Sequence, residues 1–427
     1  MVPQARKSRL PTLMLESNQG ETPLMSPLAV VVAIVLVDLL GFSVVMPLLA
    51  PFAKEYHFSD RQIGLLLAAY PMCQLVSGPI LGRLSDRYGR RPLLIISQAG
   101  TAISFLILGL SRDYTTMLLA RMLDGASGGN ILVAQAYVAD VTKPENRARG
   151  LGLIGMAFGI GFVLGPLLGG VLVSLPIAPD WRLRLPFLVG AGFSTIAFLL
   201  VLTRLPESLP PDLASRKASR VVTWKGLVET ATHPMVGVLV GVGTLVVLAF
   251  ASLEGTFSLF LRERMNWGPA RAAFAFAFLG LVSAGVQGGL IRRLVPKYGE
   301  LRLTLVGILG LAAGLALIAL SNSVPTLLFA TMVVAIGQGL VSPTVSGLLS
   351  RVTPPEDQGA IFGTLSSAQT MARMVSYYTA NLLFARIAPS APFWVGCVVA
   401  LIALGVAGVL ARRVGMKHEV IKEKALA

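Results

Sequence analysis

Five ionisable residues lie inside long apolar stretches of the chain: Asp38, Arg121, Asp124, Glu254 and Arg373. Charges are costly in hydrocarbon, so such residues serve a function or pair with one another. At about 1.5 Å per helical residue, Asp38 and Arg373 fall near the middle of their stretches. Arg121, Asp124 and Glu254 fall a turn or two to one side. Three acids against two arginines leave one carboxylate without a full counterion. A carboxylate so placed in low dielectric takes up a proton rather than stay ionised. Asp38, Arg121, Asp124 and Glu254 therefore outline a proton-coupling site, with Asp38 the first choice of carrier. Three pairings compete with that reading. Arg121 and Asp124, three residues apart, can neutralise each other; Asp38 can be a permanent partner of Arg121; Glu254 and Arg373 can lock two helices together. Unpaired, Arg373 can receive a carboxylate or phosphate. With Glu254, Asp38, Asn130, Gln135, Gln338 and Gln369 it makes a candidate substrate-binding set. Interhelical hydrogen bonding is the plainer reading of the amides, Asn381 included.

Other chemistry finds no support. His57, His233 and His418 are expected in loops, so no histidine cluster ligates a metal at membrane depth. No Walker loop, dinucleotide fingerprint, CxxC or His-Glu-x-x-His occurs. Cys73 and Cys397 read as small core residues on separate helices. The chain is expected to be no enzyme and to need no cofactor. Its partners are expected to be a small molecule, protons and the lipid bilayer.

The elements that must hold these residues follow from composition. Hydrophobic residues make up 54% and charged ones 13% of the 427, about half the charge of a soluble protein. Twelve apolar runs reach the roughly 20 residues needed to cross a bilayer: near 27–51, 61–82, 92–111, 115–140, 150–174, 185–203, 234–261, 270–291, 302–320, 325–350, 360–386 and 391–411. With residue 1 in the cytoplasm, 25 of the 36 Lys and Arg fall in cytoplasmic tails and loops and nine in the opposite loops. The bias obeys the positive-inside rule with both termini cytoplasmic. The net charge of +15 is thus topological, and nucleic acid is excluded as a partner. Trp181, Trp224, Trp267 and Trp394 lie at helix ends or in loops, as interfacial anchors do.

The chain also repeats itself. Gly82-Arg-Leu-Ser-Asp86-Arg-Tyr88-Gly89-Arg90-Arg91 is echoed by Arg292-Arg-Leu-Val-Pro-Lys297-Tyr298-Gly299-Glu300, and Val141-Thr142-Lys-Pro144-Glu145 by Val352-Thr353-Pro-Pro355-Glu356. Two such halves mark a transporter that rocks one bundle against the other. The expected domains are a disordered tail (1–26), a six-helix bundle (27–203), a cytoplasmic linker (204–233), a second bundle (234–411) and a tail (412–427). Gly161, Gly165 and Gly169 recur every four residues, which lets one helix pack closely on a neighbour. Pro166 between them permits a bend. Asp140, ending the fourth run, reads as a gate or cap residue.

These motifs resemble the major facilitator superfamily. The loop Gly82-x-Leu84-Ser-Asp86-Arg87-x-Gly89-Arg90-Arg91 matches its signature loop at nearly every position. Gly161-x-x-x-Gly165-Pro166-x-x-Gly169-Gly170 is similar to the antiporter motif of its drug:proton exporters, and Arg121-x-x-Asp124-Gly125-x-x-Gly128 to their proton-linked arginine motif. There Asp124 departs from the usual glutamine or small polar residue. Asp38-Leu-Leu-Gly41, leading to Met46-Pro47, resembles the first helix of tetracycline efflux pumps. Ser252-Leu253-Glu254-x-Thr256 with Ala372-Arg373 looks more like a tetracycline-transporter-like side branch associated with organic anions. The resemblance implies an all-α integral membrane fold of twelve transmembrane helices in two pseudo-symmetric six-helix bundles. It implies that Asp86 meets the start of the eleventh helix near Gly359-Ala360, and that Arg90 or Arg91 reaches Asp140, forming a latch between the halves when the protein opens outward. The expected function is a monomeric, proton-coupled antiporter in a bacterial inner membrane that exports small amphipathic compounds. The alternatives are an organic-anion transporter or lipid flippase using Arg373, and a non-transporting receptor or scaffold.

Overall fold

The computed structural model describes residues 26–142, 147–209, 234–354 and 357–426, and every regular element among them is helical. The expected tail before Ser26 and the linker from 210 to 233, with Trp224 and His233, lie outside the described residues. The first half holds α1 (Pro27–Val45), α2 (Leu49–Glu55), α3 (Asp60–Tyr88), α4 (Arg90–Leu110), α5 (Tyr114–Ser127), α6 (Asn130–Val141), α7 (Arg147–Ser174), α8 (Pro179–Arg182) and α9 (Leu185–Arg204). The second holds α10 (Pro234–Met265), α11 (Pro269–Gly285), α12 (Ile291–Tyr298), α13 (Glu300–Leu320), α14 (Val324–Val352), α15 (Gln358–Arg386) and α16 (Ala391–Leu426). A π-helical turn, Val286–Leu290, joins α11 to α12.

Ten helical spans among the described residues are long and apolar enough to cross a membrane. The two remaining expected passes depart from the simple pattern. The fourth is broken at Gly128-Gly129 into α5 and α6, because two successive glycines disfavour helix. The freed carbonyl of Gly128 accepts from Gln74 Nε2 at 3.0 Å, the internal satisfaction that a broken helix at membrane depth requires. The eleventh, α15, is continuous but falls outside the apolar set, with Arg373 and a run of Ser, Thr, Gln and Asn. Two boundaries also differ. The first run breaks at Met46–Leu48 before α2, and α16 continues as helix to Leu426 where a tail was expected, carrying His418 with it.

The helix contacts repeat across the halves. α1 packs on α7 and α9 as α10 packs on α15 and α16; α4 meets α9 and α5 as α13 meets α16 and α14; α3 lies on α5 as α11 lies on α14. The halves touch through α3 on α15 and α7 on α11, again as symmetric counterparts. Small residues set these approaches. A Cβ on Gly337 would lie 2.7 Å from the Gly307 carbonyl oxygen, and one on Gly64 3.0 Å from Asn381 Cβ. In lipid, which is as apolar as the side chains, such close packing does the work that hydrophobic burial does in water.

The core shows how the halves part. Call the face bearing Ser26 the tail face. Toward the opposite, far face one apolar cluster joins the halves, with Leu49, Phe52, Ile63 and Leu66 packed among Phe257, Phe260, Ala272 and Phe276. Toward the tail face there are two separate clusters. One is built on Val31, Ile34, Leu94 and Val201, the other on Val236, Leu239, Leu349 and Ile361. Gly82 and Gly359, near the tail-face ends of α3 and α15, have open space where a Cβ would be. Among the described residues the halves pack together at the far face and part at the tail face.

Candidate functional site

Of the expected pairings, two form. On α5, Arg121 Nη1 donates to Asp124 Oδ2 at 2.6 Å, with both side chains buried. Between α15 and α10, Arg373 Nε donates to Glu254 Oε2 at 3.4 Å, and the Tyr377 hydroxyl donates to the same oxygen at 3.0 Å. The third does not form. Asp38 on α1 makes no ion pair among the described residues. Its Oδ2 accepts from Asn130 Nδ2 at 2.5 Å, Oδ1 is buried without a hydrogen-bond partner, and Gln98 of α4 faces the carboxylate. Arg121 is already turned to Asp124 because their i,i+3 spacing puts both on one helical face. Asp38 is thus the acid left over from three acids and two arginines.

The break in the fourth pass positions this group. Asn130 is the first residue of α6, and its Oδ1 accepts from Ile131 N at 2.9 Å, which aims its amide nitrogen at Asp38. Two tyrosines that the charge pattern gave no reason to select link the clusters. The Arg121 guanidinium lies 4.8 Å from the centre of the Tyr70 ring, a cation–π contact. Gln74 donates to the Tyr70 hydroxyl at 3.1 Å. Tyr70 lies within electrostatic reach of Asp38, Asp124, Arg121 and Arg373, and Tyr377 within reach of Glu254, Arg373 and Arg121. The usable sequence signal for Tyr70 was a tyrosine before Pro71 in the middle of an apolar run.

Exposure separates the two halves of the site. Asp38, Arg121 and Asp124 are all buried. The side chain of Arg373 is 39% open, against 8% for Glu254. Met371 and Val375 make the outward stripe of α15, and Arg373, two residues from each, sits about 200° round the helix from both. It therefore opens into the interior. Gln369 lies one turn before it, with Nε2 3.5 Å from where a Gly243 Cβ would be. Gln338 keeps a buried, unpartnered Oε1 on α14, Asn381 ties α15 to the Gly255 carbonyl at 3.3 Å, and Gln135 is exposed on α6.

At the tail face, Arg90 is the centre of the signature loop. Nη1 meets Asp86 Oδ1 at 2.5 Å, Nε meets Asp140 Oδ2 at 3.1 Å, and Nη1 also donates to Ser85 Oγ at 2.7 Å. Arg90, not Arg91, thus reaches Asp140, while Arg91 donates from Nη2 to the Leu202 carbonyl at 2.8 Å. Among the described residues Asp86 turns to Arg90 and no contact with the start of α15 is seen, which fits a latch expected only when the protein opens outward. Sequence reasoning missed Glu207. Its carboxylate accepts from the backbone N–H of Arg90 at 2.8 Å and of Arg91 at 3.0 Å, capping a helix whose own cap residue is Gly89 at φ 101°.

The glycine motif of α7 faces α1. A Cβ on Gly161 would lie 2.9 Å from Leu39 Cβ, one on Gly165 2.7 Å from Ser43 Cβ, and one on Gly169 3.1 Å from the Val44 carbonyl oxygen. Ser43 Oγ donates to the Gly161 carbonyl at 2.8 Å. Gly170 instead receives Phe274 of α11, so Pro166 lies in a helix packed on both halves.

The sequence model of the Major Facilitator Superfamily matches residues 31–312 and 290–425. The chain belongs to the major facilitator superfamily. It is 29% identical over 376 residues to the class B tetracycline resistance protein of Escherichia coli, covering 86% of this chain and 90% of that protein. It is 30% identical over 342 residues to major facilitator superfamily domain-containing protein 10 of Mus musculus, covering 76% and 73%. Among solved structures, the human organic anion transporter MFSD10 superposes with a TM-score of 0.68 at 25% identity, over 89% of this chain and 98% of that one. A bacterial homologue of the lysosomal transporter Spinster superposes with a TM-score of 0.74 at 16% identity, a likeness of fold. This is an integral membrane protein of a transporter family, not an enzyme.

Proposed function

We propose that this protein is a proton-coupled antiporter that exports small amphipathic compounds by alternating access, acting as a monomer in a bacterial inner membrane. The observation that carries the reading is Asp38, a buried carboxylate with no cation of its own among the described residues, beside the Arg121–Asp124 pair. In low dielectric such a group holds a proton and releases it only where the surroundings change. Two bundles parting at one face and sealed at the other supply that change. The likeness to tetracycline resistance proteins supports the export of drug-like molecules. With the basic loops cytoplasmic, the tail face is the cytoplasmic one and the state described is open inward. The loop 204–233 then joins the two bundles on that side.

A second reading, an organic-anion transporter, is favoured by one observation: Arg373, in the interior, is far more open than the acid it pairs with. The MFSD10 neighbour supports it. The sign of the proton movement separates the readings. A cation and a proton exclude each other at one carboxylate, so they move in opposite directions; an anion and a proton favour each other. Proteoliposomes with an internal pH dye, given matched cationic and anionic amphipaths, test this directly. The first reading requires proton entry coupled to cation exit. Substrate-independent pH traces with every compound would remove proton coupling from the account.

A further inference from the structure

Arg373 is held by one end only. Its Nε reaches Glu254 at 3.4 Å, the long limit of a hydrogen bond, and neither terminal nitrogen has a hydrogen-bond partner among the described residues. The terminal fork is the part of an arginine that takes a carboxylate in a two-point contact. Glu254, behind it, keeps the Tyr377 hydroxyl as its second neighbour. The other helices on α10 offer Glu254 little at this depth. Among the described residues Cys397 of α16 is the titratable side chain there; Arg271 of α11, Glu300 and Arg302 of α13, Arg351 of α14, Lys54 and Glu55 of α2 and Tyr56 just after it sit at the two faces. Tyr70 of α3 and Arg121 of α5 act on the pair from the other half, through Arg373 and Tyr377.

We propose that Arg373 and Glu254 form a swap site for an amphipathic organic carboxylate, which arrives on Arg373 as one proton arrives on Glu254. The inference rests on the organic-anion reading above. The resting pair is neutral. A substrate anion on the Arg373 fork makes the site negative and leaves Glu254, 8% open, without its counterion. A buried acid in that position is restored to neutrality by a proton from the water of the cleft. No bond between heavy atoms forms or breaks. The proton passes from hydronium to a carboxylate oxygen of Glu254, and returns to water when the substrate leaves and Arg373 Nε recovers its partner. This proton is distinct from the one assigned to Asp38, and it travels with the substrate rather than against it.

The test is calorimetry on the purified full-length protein with 1-pyrenebutyrate, in two buffers of different ionisation enthalpy at several pH values. The expected result is close to one proton taken up per anion bound, with apparent affinity rising about tenfold per unit fall in pH over the linked range. Glu254→Gln, already neutral, is expected to bind pyrenebutyrate with no proton uptake and a flat pH profile. The double variant Arg373→Gln/Glu254→Gln, which leaves no unpaired charge, is expected to lose binding while keeping its thermal transition. Binding to the wild-type protein without proton uptake overturns the swap but leaves the anion reading standing. No binding by the wild type overturns both. The proton count needs no variant, so a Glu254→Gln protein that fails to fold does not rescue the proposal.

Discussion

At the residue scale, the Arg121–Asp124 pair and Asp38 differ in what they stabilise. Both members of the pair are buried, and removing one leaves an uncompensated charge, a loss of about 3–5 kcal/mol. Asp124→Asn is therefore expected to lower the midpoint of thermal unfolding in detergent strongly. Asp38→Asn, which replaces an acid without an ion-pair partner by an isosteric amide, is expected to leave the midpoint nearly unchanged. Equal destabilisation by both would mean that Asp38 has a cationic partner after all. All five charges were legible in the sequence because a charge in an apolar run stands out. Their pairing was not, since i,i+3 spacing allowed Arg121 and Asp124 to meet without excluding Asp38. Tyr377 and Glu207 were not legible either, and Tyr70 showed only as a tyrosine before Pro71. Tyrosines are unremarkable in apolar helices, and Glu207 acts on a helix more than a hundred positions away.

At the element scale, two tail-face helix starts are built with opposite charge. In the first half Arg90 opens α4 and pairs with Asp140 at the end of α6; in the second Glu300 opens α13 and pairs with Arg351 at the end of α14 at 3.0 Å. Only the first half adds a carboxylate, Asp86, where the echo has Pro296. The proposed latch on Asp86 would thus be one-sided, closing only when α15 approaches on the tail face. Asp86→Asn is expected to slow transport several-fold with substrate binding retained, because the charge biases a conformational equilibrium. Normal turnover would remove the latch. Glu207→Ala is expected to cost about 1–2 kcal/mol, the usual loss for a helix cap, read as a lowered unfolding midpoint. On the far face Asp113 caps α5, and its hydrogen bond from Thr116 holds its carboxyl below the usual carboxylate range. A depressed acid contributes above its ordinary pKa and is lost only as pH falls through the lower folded value. That cap therefore persists at a mildly acidic far face. The halves and the order of the passes were legible from apolar runs and the echoed loops, but not the interruption of the first run at Met46–Leu48. The break at Gly128-Gly129 was hidden because the run 115–140 is apolar on both sides of it.

At the scale of the whole molecule, two bundles meet at one face and part at the other among the described residues, with Asp38, Arg121 and Asp124 buried in the first bundle and Glu254 with the open Arg373 in the second. In the proposed cycle a rocking motion changes the surroundings of Asp38 while the substrate changes those of Arg373. The proposed orientation rests on charge alone: protease added outside intact cells is expected to leave the segment 204–233 uncut, and cleavage there would invert the topology. The measurement that bears most directly on the central claim is made in proteoliposomes, with the best-transported amphipath and an imposed pH gradient. Wild-type protein is expected to concentrate the compound against its gradient. Asp38→Asn is expected to lose that uphill movement and its pH dependence while still exchanging substrate downhill. Uphill transport by Asp38→Asn with an unchanged pH profile would contradict the account and move the proton carrier to another acid.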